Sequence, residues 1–154
     1  MESSLKKFLT TAEKSGHTIS FVIAGGGIGL FDLFRIEGSS RVLTEARVVY
    51  SKTSITRFLG EEASEAFVSQ GMSEQLANRL SMVSEADICF ALTAALKTDR
   101  QRRGKDHGYL SVVRQGKIAF SRHFEISGST RLEQDQFITD AILHSLQDFL
   151  EQNK

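Results

Sequence analysis

The chain has 154 residues with 19 Lys and Arg against 19 Asp and Glu, so its formal net charge is zero with neutral histidines. Hydrophobic residues make up 40% and charged residues 25%, which excludes wholesale disorder. The balanced charge excludes a general attraction to nucleic acid or to anionic membranes. No apolar run is long enough to span a bilayer, and the N-terminal stretch has no apolar signal region. We therefore expect one domain over residues 1–154, located in the cytoplasm.

Apolar spacing and capping residues predict the elements of the first half of the chain. A helix over 2–15 ends at Gly16, and a strand over 18–24 has the continuous apolar character of a strand buried on both faces. A helix with inward Leu30, Phe31 and Phe34 follows the glycines. The next strand runs through 47–50, and Ser51 caps a short helix that carries Ile55, Phe58 and Leu59 and ends at Gly60.

The second half completes the pattern of a three-layer α/β/α sandwich with a mixed, mostly parallel sheet. Predicted are a short helix over 61–70, a helix capped by Ser73, a buried strand over 87–93, a loop over 97–107, and a hairpin of 108–114 with 117–126. Thr130 and Glu133 form a capping box for a last helix with Phe137, Ile138, Ala141, Ile142, Leu146 and Phe149 inward. The order of these elements predicts the sandwich.

The glycines after the first strand are the best local indication of a binding site. Gly25, Gly26 and Gly27 join a buried strand to a helix, and bare backbone N–H groups at a helix start stabilise an anion. Neither the P-loop pattern nor the dinucleotide fingerprint is complete here. The same glycines also fit a tight turn that packs the helix against the sheet, and both interpretations stay open at this point.

The other reactive side chains form no recognisable local motif. Cys89 lies in a buried strand, where a cysteine is usually a small core residue. The histidines are never three or four residues apart, and there is one cysteine, so we predict no metal site and no cofactor. No serine lies in a nucleophile elbow. The histidines are His17, His107, His123 and His144.

The stretch from Lys97 to His107 contains five basic residues. These could grip a phosphate or an RNA backbone, but no aromatic residues are interleaved for base stacking. A solvated loop is the preferred interpretation, and we expect no nucleic-acid partner. The side chains that the alternative would use are Arg100, Arg102, Arg103 and Lys105.

Several segments, taken in order, resemble the C-terminal domain of the CinA (competence/damage-inducible) family. Gly38-Ser39-Ser40 and then Val48-Val49-Tyr50-Ser51 are similar to the family's Gly-Ser-Ser and Val-x-Tyr-Ser-Asn segments. Gln70-Gly71-Met72-Ser73-Glu74, Ala86-Asp87 before an apolar strand, and Gly128 before a long amphipathic helix also match. The resemblance covers residues 16–150 and implies the same fold. It also implies an activity, because active members are nicotinamide-mononucleotide amidohydrolases.

The differences from the family fall on its catalytic residues. Counted back from Gly38 without a gap, the position of the proposed nucleophile in Glu-Ser-Cys-Thr-Gly-Gly is Ile23, and the position of the family's lysine is Ile55. The Gly-Pro-rich loop is replaced by the basic stretch. A hydroxyl nucleophile needs an adjacent base, so the resemblance implies a catalytically inactive member. We expect Ile23 and Ile55 to lie close together and to fill the former active site.

The leading hypothesis is therefore a module that binds a small molecule or a protein, with no catalytic residues, no cofactor and no membrane partner. The ligand would be an anion or nucleotide, a phosphate-bearing small molecule held by Gly25, Gly26, Gly27, Tyr50, Ser51 and Thr93. The resemblance also implies a homo-oligomer. The alternative is an amidohydrolase that acts on nicotinamide mononucleotide or a related amide with a relocated nucleophile. Its hydroxyl would come from Thr93, Ser51 or Ser20, with Lys52 as the base.

Overall fold

The computed structural model describes residues 2–98 and 104–152, which form an α/β domain around one five-stranded sheet. The strands are β1 (Ile19–Ala24), β2 (Leu43–Val48), β3 (Ile88–Ala95), β4 (His107–Arg114) and β5 (Lys117–Glu125). The α-helices are α1 (Glu2–Ser15), α2 (Lys52–Leu59), α3 (Gln70–Val83) and α4 (Arg131–Gln152). Two 3₁₀ helices, Ile28–Arg35 and Ser39–Arg41, lie between β1 and β2.

The sheet is mixed, as the sequence predicts. Its strand order is β2-β1-β3-β4-β5. Strand β1 pairs in parallel with both β2 and β3, whereas β4 pairs antiparallel with β3 and with β5. Strand β4 is therefore the one strand of this sheet that runs against the others. The chain leaves β1 toward β2 on one side and leaves β3 toward β4 on the other, so the strand order changes direction between the carboxyl ends of β1 and β3.

Two layers of helices cover the two faces of the sheet. Side chains of α1, α4 and the first 3₁₀ helix form one core cluster with the sheet, which we call the α4-side core. Side chains of α2 and α3 form the other, the α3-side core. Strand β1 alternates between the two, since Phe21 and Ile23 belong to the α4-side core while Val22 and Ala24 belong to the α3-side core. The three-layer sandwich is confirmed.

The start of α3 differs from the prediction. Residues 61–69 form no helix, and α3 begins at Gln70 with Ser69 as its cap, whose hydroxyl accepts from the Met72 N–H at 3.1 Å. Ser73, predicted as the cap, is buried within α3 and shares a 2.6 Å hydrogen bond with Ser111 of β4. Gly71 resembles a helix stop in the sequence, but it occupies the first turn of α3, where the backbone N–H groups need no helical partner.

The segment between β1 and β2 also differs in detail. The helix after the glycines is a 3₁₀ helix, whose side chains repeat every third residue, so Leu30 and Leu33 are buried while Phe34 is 44% exposed. Strand β2 ends at Val48, earlier than the predicted strand. The predicted hairpin and the capping box of α4 are confirmed. Part of the predicted 97–107 loop lies outside the described residues, which resume at Gly104.

Candidate functional site

The glycine turn after β1 is shaped by the neighbouring strand β3. Gly25 has a φ of +95°, a left-handed conformation that favours glycine, and a Cβ built on it would collide with the backbone oxygen of Ala94. Gly27 is also left-handed, with a φ of +87°. The turn is therefore tight because β3 passes beside it, which is the packing interpretation that the sequence left open.

The N–H groups of this turn do form an anion site, and a carboxylate of the same chain occupies it. The Asp135 Oδ1 atom accepts from the N–H of Gly27 at 2.7 Å and from that of Ile28 at 3.1 Å, and its Oδ2 atom accepts from the N–H of Gly29 at 3.0 Å. Asp135 lies in the second turn of α4 and is 9% exposed. Hydrogen bonds to an ionised acceptor are about twice as strong as neutral ones. A helix-borne carboxylate thus satisfies the predicted anion site.

Arg131, one helical turn before Asp135, connects the ends of three strands. Its Nη1 atom donates to the Lys97 backbone oxygen at 2.8 Å, just after β3. Its Nη2 atom donates to the Gly25 backbone oxygen at 3.2 Å and to the Tyr50 hydroxyl at 2.9 Å. Because residues four apart on a helix share a face, Arg131 and Asp135 reach the same turn with opposite charges.

An open cavity of about 470 Å³ lies between these groups and the ends of β1 and β2. Its walls are mostly apolar, and four large side chains at its rim are unusually exposed: Ile28 at 57%, Val48 at 47%, Tyr50 at 67% and Leu132 at 68%. Ligands of open α/β sheets bind at the carboxyl ends of the strands, where the strand order changes direction. The cavity lies at the carboxyl ends of β1 and β2, on the β2 side of that change in direction. Its lining consists of Ile23, Gly25, Gly26, Ile28, Val48, Tyr50, Arg131, Leu132 and Asp135.

The side chains of this lining are mostly apolar, and the polar ones are already hydrogen-bonded. The lining contains no serine, threonine, cysteine, histidine or lysine, and its groups capable of acid–base or nucleophilic chemistry are the Asp135 carboxylate and the Tyr50 hydroxyl. The Asp135 carboxylate is engaged by three N–H groups, and the Tyr50 oxygen accepts from Arg131. The cavity offers apolar contact, a phenol ring and a guanidinium group.

The predicted ligand-binding residues are divided between this cavity and other places. Gly25, Gly26 and Tyr50 line it, and Gly27 adjoins it through Asp135. Ser51 caps α2 by accepting from the Ser54 N–H at 3.1 Å. Thr93 is fully buried, with its hydroxyl 3.5 Å from the Ser69 backbone oxygen beside α3. Neither Ser51 nor Thr93 belongs to the lining, and ligand binding by the set stays a prediction.

The expectation that Ile23 and Ile55 fill a common pocket is wrong. Both are buried, at 2% and 3% exposure, but Ile23 belongs to the α4-side core and Ile55 to the α3-side core. Successive residues of a strand face opposite sides of the sheet, so Val22 and Ala24 are the β1 residues that share a cluster with Ile55. The gapless alignment of the first strand therefore does not bring the family's serine and lysine positions together.

Arg131 and Asp135 are the functional residues that the sequence analysis missed. The capping box places Arg131 in the first turn of α4, and the four-residue spacing places Asp135 on the same face. Nothing in the sequence pairs them with a turn more than 100 residues earlier. Their partners become visible only when α4 packs against the end of β1.

The remaining candidates lie away from the cavity. Ser20, near the start of β1, shares a 2.6 Å hydrogen bond with Ser84, and Lys52 is the exposed first residue of α2. Lys105 lies 3.7 Å from Glu125, while the three arginines of the basic stretch fall outside the described residues. Within residues 2–98 and 104–152, no three His, Cys, Asp or Glu side chains are arranged to hold a metal ion. None of the described helices is long and apolar enough to cross a membrane.

Comparison with known proteins places the chain in a family. Residues 2–150 match the family model of the CinA C-terminal domain, so the chain belongs to the CinA C-terminal domain family. A search of curated proteins finds no match.

Solved structures of this superfamily share the fold. A CinA superfamily protein from Klebsiella pneumoniae superposes with a TM-score of 0.85 at 13% identity, covering 97% of both chains. The competence or damage-inducible protein from Enterobacter asburiae gives 0.79 at 18%, covering 98% of this chain and 96% of the other. The competence/damage inducible protein CihA from Agrobacterium tumefaciens gives 0.77 at 21%, covering 99% and 95%. At these identities the likeness concerns the fold.

Proposed function

We propose that this chain is a catalytically inactive CinA-like domain that binds a small molecule in the cavity beside Tyr50 and Arg131. The observation that carries the proposal is the cavity lining, which combines apolar walls with one guanidinium group and contains no nucleophile paired with a base. Amide hydrolysis through a hydroxyl nucleophile, the mechanism of the alternative, needs such a pair. The proposal does not depend on the positions of Ile23 and Ile55.

A phosphate-bearing ligand would use Arg131 in this proposal. The N–H groups of Gly27 and Gly29 are already bound to Asp135, and a phosphate placed there would have to displace a carboxylate of its own charge sign. Arg131 is the cationic side chain of the lining, and its guanidinium suits a phosphate or carboxylate. The apolar part of the ligand would then contact Ile28 and Leu132 at the rim.

The exposed rim also supports the interaction and self-association parts of the hypothesis. Ile28, Val48, Tyr50 and Leu132 are large apolar or aromatic side chains grouped around one opening, and grouped exposure of this kind marks binding surfaces more often than scattered exposure does. A homo-oligomer remains a prediction, which the sedimentation velocity of the purified chain would measure.

The experiment separates binding from hydrolysis with nicotinamide mononucleotide as the probe. Purified protein is incubated with it while ammonia is assayed, and binding is followed by the backbone amide signals of Gly25 and Gly26 in a nitrogen–proton correlation spectrum. We expect saturable shifts of these signals without ammonia release. Ammonia release that disappears in Thr93→Val would establish the amidohydrolase alternative instead.

A rim variant and its matched control locate the binding. Leu132→Asp puts a second negative charge at the rim and should weaken binding at least tenfold. Met82→Asp makes the same change at an equally exposed position at the end of α3, outside the lining, and should leave binding unchanged. Equal effects of the two variants, or no shifts with the unmodified chain, would contradict binding of this probe in the cavity.

A further inference from the structure

Strand β5 is the last strand in the order of the sheet, and its residues are all exposed or half-buried. An edge strand presents a row of backbone N–H and C=O groups that can pair with a further strand. The register of β5 against β4 shifts once, where Ala119 is the extra residue of a bulge between Ile118 and Phe120. From Phe120 to Glu125 the pairing is regular, so this part of the edge can accept another regular strand.

Helix α4 runs beside β5 in the opposite direction. The ring of Phe120 contacts that of Phe149 at a centroid distance of 5.4 Å, and the Arg122 Nη1 atom donates to the Ser145 hydroxyl at 2.7 Å. Two residues of a strand span about 6.6 Å and four residues of a helix about 6 Å, so the two contacts define a common spacing. The same spacing places Phe137 level with the residue that directly follows β5.

This edge of the molecule carries a groove at one end and an exposed aromatic ring at the other. The groove has a volume of about 680 Å³, and its lining of charged and apolar side chains includes Phe120 and Phe149. Phe137 is 41% exposed and lies on the same face of α4 as Asp148 of the groove, because eleven residues make about three helical turns. His123 is midway between the levels of Phe120 and Phe137. The groove and the exposed ring are therefore equally far from His123.

We propose that a second copy of this chain pairs with the β5 edge, antiparallel to it and related to it by a two-fold axis at His123. In an interface of this symmetry each copy gives the other the same contact, so Phe137 of each copy meets the groove of the other. The axis also places Arg122 opposite Phe124 of the second copy, in reach of a cation–π contact. An axis at Arg122 would put two guanidinium groups opposite each other, and one at Ser121 would bring the bulge into the pairing.

This inference rests on the homo-oligomer of the proposed function and identifies its interface. The apolar rim around Tyr50 is the competing surface, and it lies beside β2 at the opposite edge of the sheet. The rim surrounds the opening of the cavity, so a second copy seated there would close the proposed ligand site. Pairing at the β5 edge leaves that opening accessible and joins the sheets of the two copies.

Sedimentation equilibrium of the full chain tests the interface. We expect a dimer for the unmodified chain, and a dissociation constant raised at least about tenfold in Phe137→Asp, because a carboxylate replaces the ring that enters the groove. Met82→Asp, at an exposed position at the end of α3, is the matched control and should remain dimeric. A monomeric unmodified chain, or a dimer that Leu132→Asp dissociates and Phe137→Asp does not, would overturn this interface.

A disulfide cross-link tests the position of the axis and keeps the proposal falsifiable if Phe137→Asp folds poorly. His123→Cys puts two thiols directly opposite each other, where the Cβ atoms of paired residues are about 4.5–5.5 Å apart. Oxidation should then join two chains, which a non-reducing gel detects. Ile118→Cys is the matched control, since it lies on the same strand with 37% exposure but away from the axis, and it should stay unlinked. No link in His123→Cys, or equal links in both variants, would overturn the axis.

Ligand binding is measured separately from dimer formation. The titration with nicotinamide mononucleotide is repeated on Phe137→Asp, and binding should be retained because Phe137 does not belong to the cavity lining. A cross-linked dimer that fails to bind this probe would contradict the proposed ligand site and leave the interface standing. Binding by an unmodified chain that stays monomeric would support the ligand site and overturn the interface.

Discussion

Cys89 occupies one of the most enclosed positions in the sheet. It lies in β3 with 1% of its surface exposed and belongs to the α3-side core, as the sequence analysis expected for a core cysteine. The pKa of the Cys89 thiol is raised to about 11, mainly by burial and also by the nearby charges of Glu45 and Asp87. The nucleophilic thiolate is therefore scarce at neutral pH.

We expect the Cys89 thiol to resist a disulfide reagent such as Ellman's reagent at pH 8 in the native protein. In concentrated guanidinium chloride the thiol becomes accessible and its pKa returns to about 8.5, so labelling should become rapid. Absorbance of the released thiolate measures both rates. Complete labelling of the native chain within the time that the denatured chain requires would contradict this account.

At the scale of elements, the beginning of α3 depends on Ser69. The Ser69 hydroxyl accepts from the Met72 N–H and donates to the Ala66 backbone oxygen at 2.7 Å, so it joins the preceding loop to the helix. A helix start without such a cap leaves its first N–H groups to water.

Ser69→Ala should lower the free energy of unfolding by about 1 kcal/mol, since it removes this cap. Ser40→Ala is the matched control, because Ser40 is exposed and lies in the short 3₁₀ helix between β1 and β2. It should change the stability by less than about 0.5 kcal/mol. Urea denaturation monitored by circular dichroism measures both changes in the free energy of unfolding. Equal losses in the two variants would show that the Ser69 cap does not stabilise α3.

Elements with strong local signals are the ones that the sequence predicts well. The apolar run of β1, the Ser51 cap and Gly60 stop of α2, and the capping box of α4 each specify their own structure. The predictions for the 3₁₀ helix and for β2 were less accurate. The 3₁₀ helix has an unusual period, and β2 is a half-exposed edge strand. Local pattern cannot resolve either feature.

The sequence predicts only those residues of the candidate site that a short segment identifies by itself. Gly25 and Gly26 were found because they belong to a glycine run after a buried strand, and Tyr50 because it lies in the segment that resembles the family's Val-x-Tyr-Ser-Asn. Arg131 and Asp135 depend on contacts between distant segments, and their partners cannot be identified from spacing along one element. Ile23 and Ile55 were wrongly paired for the same reason, since the sheet lies between them.

At the scale of the whole molecule, the sheet separates two cores that pack independently. We expect Ile23→Val and Ile55→Val each to lower the free energy of unfolding by about 0.5–1.5 kcal/mol. Because the two side chains belong to different core clusters, the double variant should show the sum of the single effects within about 0.5 kcal/mol. Guanidinium denaturation of the four proteins measures the coupling, and a coupling above about 1 kcal/mol would indicate direct contact.

The bond between Asp135 and the glycine turn has a consequence for hydrogen exchange. Amides in turns usually exchange with solvent deuterium quickly, but the Gly27 and Gly29 amides are bound to a carboxylate carried by α4. They can exchange only when the first turns of α4 leave the sheet, so their protection should be as high as that of α4 amides and should fall in Asp135→Ala. The Gly116 amide, in the hairpin turn, is the reference that this variant should leave unchanged. The slow exchange of a glycine-rich turn would then report how tightly the last helix of the chain holds the first strand.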